Sequence, residues 1–141
     1  MISLDKAFEL KKAGLKWQPA LNDFFAIPER DMDEKIFVIS DMLVTIDFLQ
    51  GIQVVSFQGA SEWALDSLVT DETVWLPRDE QLLHAIEAAM LERGAYNIQL
   101  RSILKGYECE IQFEGEKKLF KGRQVSSVYA DALLYLFRSQ S

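Results

Sequence analysis

Apolar and polar residues alternate most regularly between Tyr96 and Phe113, and the neighbouring elements can be read outward from that stretch. Tyr96, Ile98 and Leu100 alternate with Asn97, Gln99 and Arg101, while Tyr107, Cys109, Ile111 and Phe113 alternate with Glu108, Glu110 and Gln112. A period of two is the mark of a strand with one face buried. Lys105-Gly106 reads as the turn between these strands. Glu114-Gly115-Glu116 reads as the next turn, into a third strand over residues 117–121. Connections this short require antiparallel pairing.

A different period flanks this meander. Val74, Trp75 and Leu76 suit a half-buried strand, and Pro77 ends it because proline has no N–H for the ladder. Leu82, Leu83, Ile86, Ala89 and Met90 then recur at helical spacing, with Asp79 and Glu80 at the positive end of the helix dipole and Gly94 as the stop. After Gly122, Ser126 or Ser127 is the expected cap of a last helix whose core face is Val128, Ala132, Leu133 and Leu136. The second half thus reads helix, three-stranded meander, helix.

The first half is less regular. Ser3 can cap a helix that ends at Gly14, docked by Leu4 and Phe8. Trp17 and Pro19 follow in an irregular connection. Strands are expected at residues 23–27, 35–39, 42–48 and 52–57, with a polar turn over 29–34 and a short helix over 61–69. The expected fold class is α+β, mostly antiparallel: an N-terminal helix, a β-meander half, then the helix–meander–helix half. The 141 residues form one domain, 1–141, divisible into lobes 1–76 and 77–141.

Composition narrows the function classes. A chain of this length buries roughly 68–70% of its unfolded surface and needs no metal or disulfide to fold. The single cysteine fits a reducing compartment, and the first residues carry no basic-then-apolar leader, so a cytoplasmic protein is expected. No apolar run approaches the ~20 residues of a spanning helix. A formal net charge of −7 opposes binding to phosphate backbones and anionic lipid, so no membrane partner is expected and nucleic acid is disfavoured.

Candidate chemistry is sparse. His84 is the one histidine, a helical turn from Glu80 and from Glu87; such a pair can do acid–base work, but here it reads as a solvated helix face. Cys109 lies on the apolar side of its strand between Glu108 and Glu110, a setting for a core thiol and not for a thiolate. Asp31, Asp33 and Glu34 lack the spacing of a calcium loop and read as a solvated turn. No phosphate-binding glycine loop, paired-cysteine metal motif or nucleophile elbow is present, so no catalytic, cofactor or metal residue is assigned.

Two surfaces remain. On the last helix Leu134, Tyr135 and Phe137 fall outside the Ala132–Leu136 face, so the helix is either buried on most sides or meets a second partner. These three residues are the expected contacts of a protein partner or a second copy. The helix–three strands–helix order also resembles the double-stranded-RNA-binding domain over roughly residues 79–138. That resemblance implies phosphate contacts, for which Lys117, Lys118, Lys121 and Arg123 are the candidates. The start of the last helix, where that family carries basic residues, holds Asp131 and no lysine.

Several local sequences together carry a resemblance to one family. They are Trp75-Leu76-Pro77-Arg78 with Gln81-Leu82-Leu83 and Ile86-Glu87, and Lys11-Lys12-Ala13-Gly14-Leu15-Lys16-Trp17-Gln18-Pro19 with Asp23-Phe24-Phe25. Tyr107-Glu108-Cys109 and Asp131-Ala132-Leu133 complete the set. With these the chain resembles, over nearly its whole length, a family of small proteins of Bacillus-like Firmicutes and their phages. The resemblance implies a compact bacterial cytosolic domain and carries no activity or site residue with it.

Overall fold

The computed structural model describes residues 1–28, 32–40, 43–49, 52–58 and 73–139, with the backbone alone for 32–35, 43–49 and 52–58. Helix α1 spans Leu4–Ala13 and opens on Ser3, whose hydroxyl accepts from the Lys6 amide at 3.3 Å. Gly14 closes it with φ +116°, a left-handed conformation that favours glycine. Ala7 and Leu10 are the buried positions of α1. Phe8, expected to dock, is instead 41% exposed with the Lys12 ammonium over its ring. The apolar stripe runs Leu4–Ala7–Leu10, one step to the side of Phe8.

Strands β1 (Phe24–Ile27), β2 (Met32–Val38) and β5 (Val74–Leu76) form one antiparallel sheet in the order β2-β1-β5. The strand at Val74–Leu76 therefore returns to β1, with Phe25 opposite Trp75, instead of ending a simple meander. β2 begins at Met32, opposite Ile27, which carries strand into the stretch expected to be a polar turn. Strands β3 (Leu43–Leu49) and β4 (Ile52–Gln58) pair antiparallel in unbroken register as a separate hairpin. The helix expected over residues 61–69, Asp31, and the side chains of Asp33 and Glu34 lie outside what is described.

The second half has the expected order: α2 (Asp79–Leu91), β6 (Tyr96–Ile103), β7 (Gly106–Phe113), β8 (Glu116–Gly122) and α3 (Val125–Arg138). The β6-β7-β8 sheet is antiparallel throughout, with Leu100, Cys109 and Phe120 in one row across it. Its turns are the two-residue connections Leu104-Lys105 and Glu114-Gly115, so β7 begins at Gly106, expected to lie in the turn. Helix α3 starts at Val125, with Gln124 as its cap residue. The Gln124 carbonyl accepts from the Ser127 amide, and Ser126 is buried in the first turn, so neither serine is the cap.

Helix α3 is the centre of the molecule. It packs on α1, α2, β7 and β8. One apolar cluster runs from Ile2, Leu10 and Val74 through Leu82, Ile86 and Met90 to Ile111, Leu133 and Leu136. Asp23, 2% exposed, ties this core to the first sheet. Its carboxylate accepts from the Trp17 indole at 2.9 Å, the Ala20 amide at 3.0 Å and the Gln81 side chain at 2.7 Å. Arg78 lies 3.7 Å away and donates to the Asn22 carbonyl. A buried carboxylate this fully hydrogen-bonded stays compatible with a core.

Candidate interaction surface

The residues expected on a partner surface are placed inside the packing. Leu134 is 4% exposed. Tyr135 is half-buried, with its ring 6.5 Å from Phe113 and 5.9 Å from Phe120, under the Lys118 ammonium. Phe137 is half-buried against the main core. Helix α3 packs against α1, α2 and the sheet, which leaves Tyr135 and Phe137 half-buried.

The basic run of β8 does not converge. Because Lys118 sits opposite the buried Ile111, it points to the helix side of the sheet. Lys117 and Lys121, opposite Gln112 and Glu108, point to the other. Lys121 lies 3.7 Å from Glu108, which also accepts from Arg101 at 2.9 Å. Arg123 follows the strand in an exposed position. His84 is exposed on α2, and the nearby Glu80 carboxyl is held below its usual range chiefly by a hydrogen bond from Arg78. Cys109 is fully buried, and burial pushes its thiol up to about 11.

Two clefts remain. Between α1 and β5, about 310 Å³ is lined by Ala7, Lys11, Leu15, Lys16, Trp17, Thr73 and Trp75, with the two indoles stacked at 6.4 Å. Lys11 donates to the Thr73 carbonyl there at 2.5 Å.

The second lies entirely among described residues. It is a groove of about 430 Å³ between α2 and β6, lined by Leu83, Glu87, Tyr96, Asn97, Ile98, Leu100 and Tyr129. It exists because α3 covers β7 and β8 while β6 extends beyond it. Tyr96, Ile98 and Leu100 sit opposite the buried Phe113, Ile111 and Cys109 and so share their face. Tyr96 and Leu100 are nonetheless 37% and 39% exposed. Burial raises the Tyr129 phenol above its ordinary value, with Asp79 and Glu87 among the negative charges adding to it.

Pairing geometry decides what the β6 edge offers. A two-residue turn makes Ile103 and Gly106 a hydrogen-bonded pair, and such pairs alternate along an antiparallel ladder. The amides of Tyr96, Ile98, Leu100 and Ser102 therefore point away from β7. Among the described residues they meet no other strand. Sequence reasoning found the alternation of β6 but not its lack of a neighbour; the available signal was that β8 carries three lysines and β6 none.

Comparison with known protein families, curated proteins and solved structures finds no match.

Proposed function

We propose that this chain is a non-enzymatic protein-interaction module whose docking surface is the edge of β6 together with the groove beneath it. The supporting observation is an eight-residue strand with outward amides at four uncharged positions, three of which also line a groove of mixed polarity. Strand addition at such an edge draws affinity from main-chain hydrogen bonds and specificity from pockets for alternate side chains. No helix among the described residues is long and apolar enough to cross a membrane. The nucleic-acid alternative, through Lys117, Lys118, Lys121 and Arg123, has weaker support, since those cations divide between the two sides of the sheet.

The test is recovery of tagged protein from nuclease-treated bacterial lysate, with light scattering on the purified chain, for wild type and Leu100→Lys. A defined complex, with another protein or with itself, that the substitution abolishes is the expected outcome. A monomer that recovers nothing, or an association lost on nuclease treatment, would overturn the reading.

A further inference from the structure

We infer that β6 pairs with β6 of a second copy, antiparallel about a two-fold axis through Gln99, joining two three-stranded sheets into one of six strands. This rests on the interaction-module reading and commits it to one occupant.

The two edges of the meander differ in a way that points to pairing. Edge strands that must stay single are guarded by lysine, proline or a bulge. On β8 the outward amides belong to Lys117, Leu119 and Lys121, by the same alternation that starts from the Phe113–Glu116 pair. On β6 they belong to Tyr96, Ile98, Leu100 and Ser102, with no proline, and the register to β7 is unbroken. β6 is long and regular, and among the described residues no strand covers its edge and no lysine, proline or bulge guards it.

Self-pairing also satisfies the strand's own side chains. Centred on Gln99, the register sets Ile98 beside Leu100 of the second copy, and Tyr96 beside its Ser102, on the helix side of the sheet. The exposed flanks of Leu100 and Ile98 then cover each other and close the open side of the groove. On the other side Asn97 meets Arg101 of the second copy, and Gln99 meets Gln99. Arg101 is the one charged residue of β6 and already bonds Glu108 and Glu110, so no like charges oppose each other along the strand. Even numbers fall in the hydrogen-bonded pairs of this register, which are the positions whose amides face outward. An isologous contact of this kind closes at two copies and leaves the lysine-bearing β8 edges at the ends of the joined sheet.

Electrostatics gives the association a signature. Two chains of net charge −7 repel, so added salt should tighten the dimer. Capture of a basic peptide or of nucleic acid would weaken with salt instead.

Sedimentation equilibrium of the full chain between micromolar and millimolar concentration, at two salt concentrations, tests the inference. Wild type is expected to be dimeric, more so at high salt. Leu100→Lys and Leu100→Pro should each weaken the dimer by about 30-fold or more, the loss typical of a central interface contact. The proline removes an amide that β7 does not use, so the intramolecular ladder survives; circular dichroism confirms that each variant is folded. Leu119→Lys, on β8, should leave the dimer unchanged. A chain monomeric throughout, or a dimer indifferent to both β6 variants, overturns the inference. If that monomer still recovers a different protein through Leu100, the module reading stands and self-pairing alone fails.

Discussion

The two edges of the β6-β7-β8 sheet are made by equally regular strands and face the solvent differently. At β8 the helix side is partly covered: Phe120, with Phe113 of β7, packs on Tyr135, and the outward amides sit on a lysine-bearing strand. At β6 the helix side is more open: Tyr96 and Leu100 are 37% and 39% exposed, and among the described residues Leu83, Glu87 and Tyr129 face the strand across the groove. One alternating pattern therefore yields a more covered edge and a more open one. The difference lies in where α3 rests, and that is a tertiary fact.

The largest expected effect separates the edges by stability. Tyr135→Ala removes a ring wedged between two aromatic side chains at the β8 flank and should cost about 2–3 kcal/mol in urea unfolding. Tyr96→Ala, at the β6 flank, should cost less than about 1 kcal/mol in dilute protein. Equal costs would mean that the β6 side is as well packed as the β8 side, and the contrast would collapse.

A smaller effect comes from Cys109, which lies in the row between Leu100 and Phe120. Its thiol is raised from 9.0 to about 11 by burial. Below pH 9 both folded and unfolded chains keep the proton. Between pH 9 and 11 the unfolded chain releases it while the folded chain holds it, so stability falls as pH rises through that window. Denaturation at stepped pH should show the decline in wild type and lose the Cys109 contribution in Cys109→Ala. Leu100→Lys brings an ammonium to the position paired with Cys109 and should flatten the decline in part. No change on that substitution would argue that the new ammonium does not reach the thiol.

How much of this was legible depends on the range of the interactions. The strict alternation from Tyr107 to Phe113 fixes a strand with one buried face because the period is local, and Gly14 and Ser3 mark helix α1 for the same reason. Partner identity is not local. Nothing in Val74-Trp75-Leu76 says that its ladder partner is Phe24-Phe25-Ala26, some fifty residues earlier. Asp23 reads as the start of a strand, and nothing local says that its carboxylate is held by Trp17 and by Gln81, a residue from another element. For Leu134, Tyr135 and Phe137, which lie outside the Ala132–Leu136 face, the sequence left burial and a second partner open; Leu134 is buried, and Tyr135 and Phe137 pack half-buried against the chain's own core. The alternate positions of β6 read like ordinary core positions, yet Tyr96 and Leu100 are 37% and 39% exposed.

Amide hydrogen exchange resolved by residue tests the central contrast most directly. In wild type, the amides of Ile98, Leu100 and Ser102 should gain protection as protein concentration rises from micromolar to millimolar. The outward amides of Lys117, Leu119 and Lys121 should stay unprotected over the same range. If both sets exchange at the open rate at every concentration, or both gain protection together, the β6 edge is not a specific pairing surface and the account fails.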